Sequence, residues 1–245
     1  MRQFVVILVF DVLVSVLAGC ARFPASSTSV TPAQTIYSEI MLQGSINPSY
    51  YYFFALGTDQ TSNSGPVPVP VGNAYTNGWG TINNLPAGQV QQPPYFVQFN
   101  NGTFEQFDGV TGQPLGAPYH AGTRFDGQYW HIYVEIDQSL LTKYNLLPAG
   151  TTSPIVQANW ITVTSLTVPP QENGLLQPYD GFGVNGNGYL TPIALNSVQS
   201  WTSGQAGVPA QPAGETTTAS TINGVYDPGY SLDIIWWTLS VKIYQ

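Results

Sequence analysis

The clearest pattern lies near the C-terminus. In Ser231–Tyr244 (SLDIIWWTLSVKIY), Ile235, Trp237, Leu239, Val241 and Ile243 alternate with Thr238, Ser240 and Lys242. A repeat of two is the signature of a half-buried β-strand. Similar β-rich runs cover Tyr37–Leu56, Tyr95–Phe107, Tyr129–Ile136 and Pro154–Val168, parted by proline and glycine clusters.

Two hairpins follow from turn dipeptides. Asn101-Gly102 and Asp126-Gly127 suit a type I′ turn, in which both central residues need positive φ. The first predicts Phe99 opposite Phe104. The second predicts Phe125 opposite Gln128 and Thr123 opposite Trp130. One face of that second hairpin then carries Phe125, Trp130, Ile132, Val134 and Ile136. The other carries His120, Arg124, Tyr129, His131, Tyr133 and Glu135. Such segregation predicts an antiparallel sheet with one wet side.

Helix is scarce. Asp137–Asn145 suits about two turns, with Asp137 or Ser139 as cap and Pro148 beyond its end. The segment 65–72 (GPVPVPVG) lacks ladder donors at its prolines and reads as an edge or polyproline stretch. Residues 203–220 read as a long surface loop, and no repeat of fixed spacing is present. The expected fold is an all-β antiparallel sandwich, immunoglobulin-like or jelly-roll in type, as a single domain over residues 35–245 with at most one short helix.

The N-terminus has a different character. Phe4–Ala18 is an apolar run broken only by Asp11 and Ser15, and it follows Arg2. A positive start, an apolar run and small residues are the layout of a secretory signal peptide. The run is short for a spanning helix, which needs ~20 apolar residues. It ends in Leu17-Ala18-Gly19-Cys20, and Cys20 is the sole cysteine of the chain. This junction resembles the lipobox of bacterial lipoproteins. The resemblance implies cleavage of residues 1–19 and acylation of Cys20, which would then tie the chain to a lipid bilayer. It further implies a cell-envelope location. With Ala21 in place of the aspartate that retains lipoproteins at the inner membrane, an outer or surface position is implied for a Gram-negative host. Residues 20–34, rich in Ser, Thr, Ala and Pro, read as a flexible tether with a reach of about 20 Å.

Composition narrows the partners. Charged residues are only 7% of the 245, while 43% are hydrophobic and 13% aromatic. That excludes disorder, which needs low hydrophobicity and high charge. The net charge is −8, and loss of Arg2 and Asp11 with the leader leaves it unchanged. So few basic residues cannot neutralise many phosphates, which argues against nucleic acid and against anionic headgroups. With Cys20 acylated, no disulfide is available and the core alone must hold the fold.

Candidate chemistry is thin, and no catalytic, metal or cofactor residue is assigned. In the predicted register His131 lies diagonal to His120, close enough to share a metal, but Glu135 is four residues further along the strand. Catalytic zinc wants three protein ligands, and two are in view. No G-x-S-x-G elbow is present for a serine hydrolase. The acids show no spacing that singles out a glycosidase pair. The glycine-rich stretch Asp180–Tyr189 imitates a calcium loop, yet aligning Asn185 and Asn187 puts Gly183 at the first ligand position and Ala194 at the twelfth. An irregular calcium site at Asp180 would need backbone carbonyls. Tyr50–Phe54 and Trp236-Trp237 set rings on both faces of a strand, so the second face must be covered or form a platform.

Three functional readings follow. The first is a non-enzymatic envelope lipoprotein, structural or adhesive, with a polysaccharide or another envelope protein as partner. The second is a carbohydrate-binding or substrate-capturing lipoprotein, which requires a contiguous row of exposed rings. The third is an envelope hydrolase, which requires acids or histidines converging in a cleft.

Overall fold

The computed structural model describes residues 33–57, 66, 93–109, 111–143, 155–163, 179–183, 188–211, 220–222, 225–227 and 231–244. They belong to one compact unit, Pro32–Gln245. Its strands in chain order are β1 (Gln34–Leu42), β2 (Tyr51–Gly57), β3 (Tyr95–Asn100), β4 (Thr103–Asp108), β5 (Pro114–Gly116), β6 (His120–Phe125) and β7 (Trp130–Asp137). After the one described helix, α1 (Ser139–Lys143), come β8 (Ile155–Val163), β9 (Tyr179–Gly181), β10 (Leu190–Ala194), β11 (Gln199–Thr202), β12 (Ser220–Ile222), β13 (Val225–Asp227) and β14 (Ile234–Ile243).

The protein is an all-β antiparallel sandwich. One sheet has the order β11-β14-β1-β7-β6; the other runs β10-β8-β2-β3-β4-β5, with β9 also paired to β8. Alternation on each strand fills the space between them. Ile36, Ile40 and Leu42 of β1 meet Tyr52, Phe54 and Leu56 of β2 in one buried cluster. Trp160 of β8 donates its indole N–H across the core to Ser38 Oγ (2.8 Å), which in turn donates to the Thr238 carbonyl (2.9 Å). The two sheets are thereby joined by polar bonds as well as by apolar packing.

The Asn101-Gly102 hairpin forms as its sequence predicts. Asn101 has φ 48° and Gly102 φ 77°, and Phe99 faces Phe104. The second hairpin differs. Phe125 pairs with Trp130 and Thr123 with Ile132, two residues away from the predicted register. The reason is Asp126. Its Oδ1 accepts the N–H groups of Gln128 (2.8 Å) and Tyr129 (2.7 Å), while its own N–H donates to the Tyr129 carbonyl. The reversal is therefore centred on Gly127-Gln128, with Gly127 at φ 102°. A slip of two residues leaves every side chain on its predicted face, because a strand repeats every two.

β14 carries a second departure. Met41 pairs with Trp236 but Leu42 with Ile234, so Ile235 lies in a bulge. Ile234, not Ile235, is fully buried in phase with Trp237, Leu239 and Val241. At the far end Ile243 is exposed.

The aromatic run of β2 is buried on both faces. Tyr52 and Phe54 enter the inter-sheet core, whereas Phe53, Ala55, Phe96, Ile161 and Val163 form a second buried cluster beyond the other face. Trp237 is fully buried and stacks on Phe182 at 4.3 Å between ring centroids. Helix α1 begins where expected, with the Asp137 carboxylate accepting the Ser139 N–H (2.8 Å). Its expected continuation to Asn145, all of 65–72 except the buried Pro66, and 212–219 lie outside the described residues.

Candidate functional site

The outward face of the five-stranded sheet brings Glu39, Arg124, Glu135 and Lys242 together with both histidines. On β1 the alternation that buries Ile36, Ser38 and Ile40 turns Thr35, Tyr37 and Glu39 the other way. On β7 the same rule turns His131, Tyr133 and Glu135 outward. Pairing sets Tyr37 opposite Glu135 and Glu39 opposite Tyr133. On the outer side, β6 sets His120 opposite Glu135, Gly122 opposite Tyr133 and Arg124 opposite His131.

Two carboxylate centres result. Glu39 is 5% exposed. Its Oε1 accepts Arg124 Nε (3.0 Å) and Nη2 (2.5 Å), and its Oε2 accepts the Tyr37 hydroxyl (2.5 Å). His131 lies between acids, with Nδ1 2.8 Å from Glu39 Oε1 and Nε2 3.0 Å from Asp126 Oδ2. Burial, and then the Glu39 carboxylate, push the Tyr37 hydroxyl well above the ordinary phenol range. The N–H of Tyr129, His131 and the N–H of Gln128 hold the Asp126 carboxyl well below the usual carboxylate range.

Glu135 is 6% exposed. Its Oε1 accepts Thr35 Oγ1 (2.6 Å), the Tyr244 hydroxyl (2.8 Å) and Lys242 Nζ (3.4 Å); His120 Nδ1 lies 3.3 Å from Oε2. Burial acts to raise its pKa. Donation from Thr35, Tyr244 and His120, together with the Lys242 charge, outweighs burial and leaves it below the ordinary value.

The corrected register therefore separates the two histidines. Each has its own acid, and they stand four residues apart along the sheet at their pairing positions, roughly 13 Å by strand rise. They do not share a metal position, and among the described residues no three His, Cys, Asp or Glu are placed to hold one. Asp180, considered for calcium, is buried and ties strands instead. Its Oδ1 accepts the Gly181 N–H and its Oδ2 the Ile234 N–H, each at 2.7 Å. Residues 184–187 and Cys20 lie outside the described residues.

The rings of this face are engaged with one another. Tyr37 stacks on Tyr133 at 6.4 Å, and Lys242 Nζ sits 4.4 Å over the Tyr37 ring. Tyr133 covers Gly122 so closely that a Cβ there would lie 2.5 Å from its hydroxyl oxygen. Among the described residues the large exposed rings are Phe125 and Tyr244, 54% and 40% exposed. They sit at opposite ends of the sheet, since Phe125 joins through Trp130 to Leu42 and Tyr244 follows the Ile243 that faces Gln34.

Chemically this face consists of acids held by their own donors. A general acid for glycoside cleavage needs a carboxyl with a raised pKa, and the environment of Glu135 acts the other way. Thr35, Glu39, Lys242 and Tyr244 were not singled out from the sequence. The alternation of Tyr37 and Glu39 between Ile36 and Ile40 was the available signal; the Arg124 partner of Glu39 lies 85 residues away, and Thr35, Lys242 and Tyr244 meet Glu135 across separations of 100, 107 and 109 residues. Comparison of the chain with protein-family models, curated proteins and solved structures gives no match.

Proposed function

We propose that the protein is a non-enzymatic lipoprotein of a bacterial cell envelope, structural or adhesive in type, held to a membrane through acylated Cys20. The observation that carries this reading is Leu17-Ala18-Gly19-Cys20, closing an apolar leader in a chain with no other cysteine. Two further features support it. The sandwich begins at Gln34, so only thirteen residues, Ala21–Ala33, would separate the lipid from the folded body. The acidic and histidine side chains of the open sheet face are engaged by neighbours, as suits a stable surface rather than a reactive one. Acyl chains contribute ~0.8 kcal/mol per buried CH₂, and more than one chain gives a durable anchor.

The test is mass spectrometry of the N-terminal peptide from membranes of the native host. A diacylglycerol thioether on Cys20 is expected, and the Cys20→Ser chain should leave the membrane fraction. An unmodified Cys20, or a wild-type chain that washes free, would overturn the reading.

A further inference from the structure

Among the described residues five strands form the outer edges of the two sheets, and an outer edge carries unpaired N–H and C=O groups that invite another strand unless something obstructs it. Four of them are obstructed or short. β5 has three residues and contains Pro114; β9 has three residues; β10 contains Pro192 and a register shift; β11 has four residues. β6 differs. It has six residues, no proline, and unbroken pairing to β7 from His120 to Phe125.

Its charge is also drawn off the edge. Arg124 would be the natural deterrent, but its guanidinium reaches back over β7 to Glu39 on β1. At the end of the strand Phe125 stands 54% exposed, tilted against Trp130 at 5.4 Å. Nothing in the β6–β7 pairing requires so large an apolar group in water.

The direction of the free groups can be read from the turn. Asp126 N–H donates to the Tyr129 carbonyl, so this pair is hydrogen-bonded. Bonded and non-bonded pairs alternate along an antiparallel ladder. Arg124, Gly122 and His120 therefore aim their backbone groups at β7, and Phe125, Thr123 and Ala121 aim theirs outward.

The geometry points to a second copy of this chain as the occupant, with β6 pairing antiparallel to β6 across a two-fold axis through Thr123. This register joins Thr123 to Thr123 of the second copy, and Ala121 to Phe125 of the second copy, all by outward-facing groups. It forms about six inter-chain hydrogen bonds, the most that three outward residues per strand allow. It also covers each exposed Phe125 with the neighbour's Ala121. His120 falls opposite Asp126 of the second copy at both ends, an imidazole beside a carboxylate. A slip of two residues, with Gly122 on the axis, would set His120 against Arg124 and lose part of the ladder. Arg124 in the favoured register faces Gly122, which has no side chain to meet it. Two five-stranded sheets become one of ten strands. This association does not depend on the lipid at Cys20.

The experiment uses the full chain purified in mild detergent. Sedimentation should show the apparent mass doubling as concentration rises. Thr123→Lys sets like charges face to face on the axis and should keep the mass single. Thr123→Val, which retains strand propensity, should still double. Oxidising Thr123→Cys should link chains in pairs, because directly opposed Cα atoms about 5.5 Å apart lie within disulfide range. Ser200→Cys, on the other edge of the same sheet, should not link. A wild-type chain that stays single at every concentration would overturn the inference. So would a Thr123→Lys chain that pairs like wild type, or equal linking of the two cysteine variants.

Discussion

Trp160 and Trp237 are both buried in the inter-sheet core, yet their indole N–H groups fare differently. Trp160 donates to Ser38 Oγ, whereas Trp237 Nε1 is buried without a hydrogen-bond partner. A buried donor left unpaired is costly, and removing it recovers part of that cost. Replacement of each by Phe removes similar volume, so the difference isolates the N–H. Trp160→Phe should lose about 1–2 kcal/mol more than Trp237→Phe in urea unfolding; equal losses would show that the Ser38 bond contributes nothing. Glu135 supplies a second test at this scale. Its folded pKa lies below the ordinary carboxylate value. Its stabilisation is therefore complete above about pH 4.3, the unfolded value, and is lost as pH falls through the lower folded one. The thermal midpoint should hold from neutral pH down to about pH 5 and then drop. In Glu135→Gln the neutral-pH midpoint should be lower and the acid drop shallower. An acid limb as steep as wild type would remove Glu135 as a cause.

Among the elements, turn chemistry and close approach decide how strands end and meet. Gly109 closes β4 by donating to the Pro94 carbonyl, and a Cβ there would lie 1.8 Å from the Pro93 carbonyl oxygen. Gly122 in β6 is crowded instead by the hydroxyl end of the Tyr133 ring, a side chain rather than backbone. Gly109→Ala must move backbone and should be the costlier, by more than about 2 kcal/mol against about 1 kcal/mol for Gly122→Ala. Denaturant titration of both variants checks the order, and a reversed order would contradict it. The same scale shows how local signals succeed or fail. Asn101-Gly102 forms the expected turn because both residues adopt positive φ. Asp126-Gly127 has the same appearance, but the Asp126 carboxylate captures two later N–H groups and moves the turn onward. A side chain competing for backbone donors outweighed the dipeptide preference.

At the scale of the whole molecule, β1 and β14 bring the two ends of the domain together, and β1 with β7 builds the open polar face. That long-range pairing explains why the carboxylate centres were hard to foresee. His120, Arg124, His131 and Glu135 were already on one face by alternation. The other donors to Glu135, namely Thr35, Lys242 and Tyr244, arrive from the two termini of the domain. What sequence determines here is whatever depends on spacing along the chain. This covers the strand segments, which residues of each face inward, the Asn101-Gly102 turn, the scarcity of helix, and the sandwich that such strands must form to bury their apolar sides. Tertiary structure decided which strands are neighbours, which acid each histidine meets, the bulge that moves Ile234 inward, and the outer position of β6. Those outcomes depend on contacts between segments far apart in sequence, and periodicity within one segment carries no information about its partner.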